Sequence, residues 1–311
     1  MMNHSIIDFV RNPYLIFNWI AAKHLMDWMD DKTFLKLRYR ASFGKKLNLE
    51  HPVTFNEKLQ WLKLYNRMPE YTIMVDKVKA KDYVAKLIGA EHIIPTLGVW
   101  DSPDEIDFDS LPNQFVLKCN HNSGLGMCIC RDKSTLDISE VKKALWKGLK
   151  EDYYLQGREW PYKNVPRKIL AEKYMVDSEY DKKAIGKEDL QELTDYKFFC
   201  FGGEPFMMYV SHDHAEHATT DFFDMNYKLL PIRMKDPNSE NPPACPKEFE
   251  EMKQYARMLS KNIPHLRVDF YVINHHVYFG EMTFFHNAAF SPVKPASWEI
   301  KLGNMINLPK L

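Results

Sequence analysis

LRVDFYVINHHVYFGEMTFFHN, Leu266–Asn287, is the stretch around which the chain reads as organised. Two runs of apolar, β-branched and aromatic residues, Leu266–Ile273 and Val277–Phe279 onward, flank the turn-forming Asn274-His275-His276, which predicts a β-hairpin. Arg267 and Asp269 are two apart and share one face of the first strand; Glu281 and Thr283 do the same on the second. A loop of residues 274–276 pairs Ile273 with Val277, and so sets Asp269 opposite Glu281 and Arg267 opposite Thr283. Opposed residues hold their Cβ atoms about 4.5–5.5 Å apart, and two bare carboxylates at that spacing repel unless something positive sits between them. Paired carboxylates on rigid strands suit Mg²⁺, a hard cation that keeps several waters and takes further oxygens from a nucleotide's phosphates. A loop of another length would instead turn one carboxylate to solvent or give it to Arg267, and on this stretch alone both readings stay open.

The composition sets the frame for that hairpin. With 311 residues, 45% of them apolar and 27% charged, the chain can bury a sizeable core and hold two or three subdomains. Its 42 basic and 42 acidic residues cancel, so there is no electrostatic case for nucleic acid as the main partner. Five cysteines, an odd number, read as free thiols in a reducing cytoplasm, and Cys128-x-Cys130 has no second pair at zinc spacing. The uncharged run Asn12–Ala22 is shorter than the ~20 apolar residues that cross a bilayer, and its flanks do not suit a secretory signal. The expectation is a cytoplasmic protein. The aromatic stripe Phe17, Trp19, Ile20, Leu25, Met26, Trp28 and Met29 reads as core, with an interfacial helix at the inner face of a membrane as the alternative.

Upstream of the hairpin the pattern divides into a helical extension, residues 1–70, and three further parts, 71–113, 114–200 and 201–311. Thr54 with Glu57 makes a capping box that starts a helix through Tyr65. A second amphipathic helix, Tyr71–Ile88, carries Lys77 and Lys81 four apart on one face. QFVLKCNHNSGLGMCICRDK, from Gln114, reads as two strands joined by a polar glycine loop; the loop's backbone N–H groups and Lys118 suit oxyanions, although a plain hairpin turn would look the same. Arg158 and Glu159 in REWPYKN read either as a surface pair or as residues facing a ligand. The strand KILAEKYMV delivers Glu172, and DYKFFCFGGEPFMMYV is a hairpin turning at Gly202-Gly203 with Lys197 on its first strand. The histidines of SHDHAEH lack apolar support and read as a solvated loop rather than a metal site.

Taken in order, TFNEKLQWLKLYNR, DKVKAKDYV, IIPTLGVW, FVLKCNHNSG, REWPYKN, AEKYM, DYKFFCFGG and RVDFY…YFGEMTF resemble the TupA-like branch of the ATP-grasp superfamily, from about His51 to the C-terminus. The resemblance implies an α+β ATP-grasp fold that holds ATP between two subdomains: a lid over 114–200, with the phosphate loop and adenine hinge, and a C-terminal subdomain over 201–311, with 71–113 as the first part of the core. It implies that Lys77 and Lys118 bind phosphate, with Lys81, Ser123 and Gly124 beside them. Glu172, Lys173 and Met175 fall on the adenine-contacting hinge, and Lys197 on a further nucleotide or phosphate contact. Asp269, Glu281 and Thr283 match the magnesium ligands, and Arg267, with Lys118, the catalytic cations. Two departures stand out. Glu281-Met282-Thr283 replaces the superfamily's Glu-x-Asn, and FFHNAAF follows where the branch has an aromatic, a proline and glycines.

Genes of this branch are associated with bacterial cell-surface polysaccharide synthesis. The implied activity is an ATP-dependent carboxylate–amine ligase acting through an acyl phosphate, with a uronic acid or similar carboxylate as acceptor and an amino acid or other amine as donor. A sugar kinase on the same ATP site, a glycosyltransferase and a non-catalytic nucleotide-binding module remain as alternatives. The chain has no Asp-x-Asp for a sugar-nucleotide metal.

Overall fold

The computed structural model describes residues 14–178, 193–212 and 218–310, so most of the polar segment 178–194 and of SHDHAEH lies outside the described residues. Two antiparallel sheets organise the rest. Strands β1 (Thr96–Trp100), β2 (Phe115–Cys119), β3 (Cys128–Cys130) and β4 (Ile169–Lys173) form a four-stranded sheet in the order β1-β4-β2-β3. Strands β5 (Asp195–Phe201), β6 (Glu204–His212), β7 (Thr219–Asp224), β8 (His265–Ile273) and β9 (His276–Thr283) form a five-stranded sheet in the order β7-β6-β5-β8-β9. Strand pairing runs across the sequence boundaries at 113/114 and 200/201: β1 hydrogen-bonds to β4, and β5 pairs with both β6 and β8.

The helices are α1 (Leu15–Ala22), α2 (Asp31–Phe43), α3 (Phe55–Tyr65), α4 (Pro69–Val75), α5 (Lys79–Ile88), α6 (Ile138–Lys150), α7 (Tyr153–Gly157), α8 (Phe249–Leu259) and α9 (Ala296–Met305). The capping box forms as read: Glu57 N–H donates to Thr54 Oγ1 and Thr54 N–H to Glu57 Oε2. The single helix expected over 71–88 is two. Buried Asp76 is extended (ψ 108°), and its Oδ1 accepts from Val78 N–H and from the Asn120 amide, so a local side-chain bond competes with helix continuation and leaves Lys77 in the break.

Each sheet is covered by a helix whose apolar positions recur at helical spacing. Val141, Leu145 and Leu149 of α6 pack over the four-stranded sheet with Phe115, Leu117 and Ile169. Met252, Ala256 and Leu259 of α8 pack on Phe198, Val268 and Phe270 of the five-stranded one. Side chains buried this fully contribute about 1.5–3 kcal/mol each. Because strand residues alternate, burying Phe198, Val268 and Phe270 under α8 turns Lys197, Arg267 and Asp269 to the other face, toward the four-stranded sheet.

Candidate active site

The opening hairpin reaches its expected pairing by a different route. Its turn is the two residues Asn274 and His275, both left-handed (φ 50° and 59°), which is the geometry of a type I′ connection, and Ile273 pairs with His276. A bulge at Gly280 then adds back the residue the turn gave up. Asp269 opposes Glu281 and Arg267 opposes Thr283, as the longer loop had predicted. Lys197 lies directly across from Asp269 on β5.

A cation does separate the two carboxylates, and it is the chain's own. Arg267 donates from Nε to Asp269 Oδ1 at 2.7 Å and from Nη2 to Asp269 Oδ2 at 2.6 Å, and the same Nη2 reaches Glu281 Oε1 at 2.8 Å. Lys197 Nζ is 3.0 Å from Asp269 Oδ2 and also pairs with Asp195. The fourth side of the guanidinium is closed by His286, whose Nδ1 lies 3.0 Å from Nη1. Burial and the neighbouring Arg267 push His286 well below its usual pKa, so it is a neutral acceptor here. Burial opposes ionisation of Glu281, yet Arg267, Lys77 and Lys197 outweigh it and hold its carboxyl down at about 2.

The lone pairs of this donor set decide whether magnesium fits. A carboxylate offers about four acceptor sites. Asp269 uses three, two on Oδ2 and one on Oδ1. Glu281 Oε1 takes Arg267 and the Thr283 hydroxyl at 3.2 Å, while Oε2 has no hydrogen bond among the described residues. The set fits a hard cation that draws its remaining oxygens from phosphate and water.

Across the cleft, β2 and β4 set Glu172 opposite Val116, which makes Lys118 its diagonal neighbour on the same face. Lys118 Nζ lies 2.5 Å from Glu172 Oε2, and Lys81 Nζ lies 2.6 Å from Oε1 and from the Ile94 carbonyl. Burial raises the Glu172 pKa, but the two lysines together bring it below the ordinary carboxylate value. Lys77 Nζ donates to the Asn122 carbonyl at 2.6 Å, and burial lowers its pKa. Lys77, Lys81, Lys118, Glu172, Tyr271 and Glu281 all line one cleft.

The remaining sequence candidates sit farther out. Ser123 and Gly124 are exposed at the glycine-loop tip, Lys173 is exposed at the end of β4, and half-buried Met175 follows it. None of these four lines the cleft, and the Glu172 side chain is committed to lysines rather than to a heterocycle.

A polar stripe was missed. Asn56, Gln60 and Lys63 recur at i, i+4 and i+7 on α3 and are buried. Asn56 Nδ2 donates to the Ser291 carbonyl, Gln60 Nε2 to the Ala289 carbonyl at 2.8 Å, and Lys63 Nζ to the Ala288 and Gly157 carbonyls at 2.7 and 2.8 Å. They hold the departing segment: Asn287, Ala288 and Ala289 are all left-handed (φ 50°, 50° and 54°), a conformation costing about 1–2 kcal/mol per non-glycine residue. The spacing was visible in the sequence. A polar stripe on an amphipathic helix is normally its wet side, however.

Two antiparallel sheets facing one lysine-lined cleft, with an arginine clamped between opposed carboxylates, agree with the ATP-grasp fold that the sequence resemblance implied. The chain belongs to the TupA-like ATP-grasp family, which it matches over residues 57–307. Among solved structures it is similar to the D-alanine–D-alanine ligase of Helicobacter pylori (15% identity, TM-score 0.42, covering 82% of this chain and 69% of that one). It is also similar to the D-alanine–D-alanine ligase of Bacillus anthracis (18%, 0.41, 75% and 66%). A third is N5-carboxyaminoimidazole ribonucleotide synthetase from Thermus thermophilus (12%, 0.37, 81% and 52%), so the chain spans about two thirds of the ligases' length and about half of the synthetase's. No curated protein matches the chain.

Proposed function

We propose that the protein activates a carboxylate with ATP as an acyl phosphate and couples an amine to it, the carboxylate being a uronic acid or similar group of a cell-surface polysaccharide or its precursor. The observation that carries this reading is the Arg267 clamp. A buried guanidinium fixed by Asp269, His286 and the cleft-lining Glu281 is pre-set for charge that develops on an acyl phosphate and a tetrahedral intermediate.

In this reading the polyphosphate enters beside Lys77, Lys81 and Lys118, and its oxygens take the place that Glu172 now has on two of those lysines. Asp269 and Glu281, with the Thr283 hydroxyl beside them, would hold magnesium through the oxygens they keep free. The ion would offset charge on the transferred phosphoryl group. Lys197 keeps Asp269 in place from β5. The backbone after Glu172, through Lys173 and Met175, is the proposed adenine contact, and the Ser123-Gly124 tip the flap over the phosphates.

The test is to incubate purified protein with ATP, Mg²⁺ and a panel of uronates and amines, and to follow ADP and inorganic phosphate. The expected result is phosphate release only when both a carboxylate and an amine are present. Phosphate no higher than in an Asp269→Asn control for every pair would overturn the reading, and ADP without free phosphate would replace it with a sugar kinase. No helix among the described residues is long and apolar enough to cross a membrane. A cytoplasmic site of action is proposed, and exposed Trp19 and Trp28 make the N-terminal helices the surface to test by vesicle sedimentation.

A further inference from the structure

A guanidinium carries five N–H donors in one rigid plane, and Arg267 commits four of them. Nε–H and one Nη2–H go to Asp269, the other Nη2–H to Glu281, and one Nη1–H to His286. The second Nη1–H has no partner among the described residues. Because the fork is planar, the bond to His286 helps to fix where that last hydrogen points. His286 also differs in kind from the other two partners. Asp269 and Glu281 are the carboxylates proposed to hold magnesium, so a cation bound there competes with Arg267 for them. His286 Nδ1 has a single lone pair, and Arg267 takes it at 3.0 Å.

The imidazole is itself held in place. It is buried, and Phe199 and Tyr209 meet it edge-on with ring centroids 5.2 and 5.5 Å away. Donor balance then fixes its tautomer. Arg267 can only donate, so Nδ1 is the bare nitrogen and the neutral ring keeps its proton on Nε2. Asn287 Nδ2 lies 3.0 Å from Nε2, where two donors would face each other; a half-turn of the carboxamide, exchanging nitrogen and oxygen, gives Nε2–H its acceptor. Asn287 reaches back in this way because it is left-handed, and the left-handed run is secured through the Ala288 and Ala289 carbonyls by Lys63 and Gln60. The turn packed beneath is fixed as well. Its Arg158 and Glu159 are buried rather than a surface pair, Arg158 donates to the Met26 and Asp27 carbonyls, and a Cβ on Gly157 would lie 2.9 Å from the Ala288 methyl.

We propose that His286 is the positioning residue of Arg267: through the one partner that a bound cation does not share, it keeps the remaining Nη1–H aimed at the oxyanion of the acyl phosphate and the tetrahedral intermediate. This rests on the ligase reading. His286 moves no proton and touches no substrate in this role; it acts only through the orientation of the guanidinium, where a small misplacement is expensive in rate. Both His286 and Asn287 belong to FFHNAAF, the segment in which the chain departs from the branch it resembles. The departure thereby has a task, which is to carry the rigidity of α3 through a left-handed turn to the cation of the site.

The experiment compares wild type, His286→Leu, His286→Asn, Arg267→Lys and the double variant Arg267→Lys with His286→Leu, using ATP, Mg²⁺ and the panel of uronates and amines. The expected result is that His286→Leu loses on the order of tenfold or more in kcat, with MgATP affinity within about threefold of wild type. His286→Asn, whose amide oxygen can stand where Nδ1 stood, should recover most of the rate. Added to Arg267→Lys, the leucine change should cost less than about twofold more, because the bond it removes is already gone. Nitrogen NMR on protein with isotope-labelled histidine reads the clamp without turnover: the His286 ring, identified by its loss in His286→Asn, should show a bare Nδ1 and a protonated Nε2, with and without Mg²⁺ and a non-hydrolysable ATP analogue. Equal losses in the leucine and asparagine variants, or losses that multiply in the double variant, would overturn the proposal and make His286 a packing residue. No loss in His286→Leu, or a protonated Nδ1 in wild type, would overturn it too. If wild type releases phosphate with no pair, the ligase reading fails and the positioning role falls with it, while the ring nitrogens still report whether the clamp itself exists.

Discussion

Arg267 makes four hydrogen bonds to three residues, and a lysine at that position could not reproduce them. The ammonium is a point charge without a planar fork, so it can satisfy Asp269 but not Glu281 and His286 at the same time. Arg267→Lys is expected to lower turnover on the order of 100-fold or more, with nucleotide affinity within about threefold of wild type; phosphate release and a MgATP titration separate the two. Glu172 gives a pH-dependent prediction of a different kind. Its folded pKa lies below the ordinary carboxylate value because Lys118 and Lys81 outweigh burial. Its contribution to stability is therefore complete above the unfolded value of about 4.5 and is lost as the pH falls toward the folded one. Lys118→Met removes the stronger of the two lysines, raises that folded pKa and leaves a buried carboxylate with one partner. The variant should be less stable than wild type at neutral pH, and the fall in its urea midpoint between about pH 6 and pH 3 should be smaller than wild type's.

The β8–β9 hairpin carries the argument at the level of elements. Gly280 sits in the bulge because a Cβ there would lie 3.0 Å from the Asp269 carbonyl oxygen and 3.2 Å from the Tyr271 ring. Gly280→Val should push β9 away from β8, cost about 1–3 kcal/mol, and separate Glu281 from Arg267. Thermal unfolding would show the first effect and a loss of turnover on the order of tenfold the second. On α3, Lys63→Met leaves the Gly157 carbonyl without its donor and the Ala288 carbonyl with only the 3.4 Å bond from Gln60, and should cost about 1–3 kcal/mol. Gln60→Leu, which strips the Ala289 carbonyl, should show a smaller drop in melting temperature in the same assay. These two elements also mark how far the sequence could be read. The opposition of Asp269 and Glu281 was legible because alternation along a strand is strict, yet the turn that produced it was misread, since two errors of one residue cancelled. The left-handed run at 287–289 was not legible. Asn-Ala-Ala carries no glycine to announce it, and the side chains that impose it lie over two hundred positions upstream on α3. The break at Asp76 hides for the same reason, because half of what holds it comes from Asn120 on the other sheet's loop.

At the scale of the whole molecule, the two sheets meet through charged groups rather than through a shared core. The large core under α8 and the smaller one under α6 are separate clusters, and between them lies the cleft lined by Lys77, Lys81 and Lys118 on one side and Tyr271, Phe279 and Glu281 on the other. A polyanion in this cleft would bridge the two sheets by touching the lysines and a carboxylate-bound cation together. ATP with Mg²⁺ should therefore raise the thermal midpoint more than either alone. At a hundred times its dissociation constant the stabilisation is about 2.7 kcal/mol, or about 5 °C for a chain of this size. Lys77→Met combined with Lys118→Met removes two cations that face the same space from different elements, and should abolish the shift. Arg267→Lys, at the residue assigned in the proposed function to the acyl phosphate, should retain most of it. A shift lost equally in both variants would mean that the cleft and the clamp unfold as one unit, and that the nucleotide is held by the five-stranded sheet rather than between the two sheets.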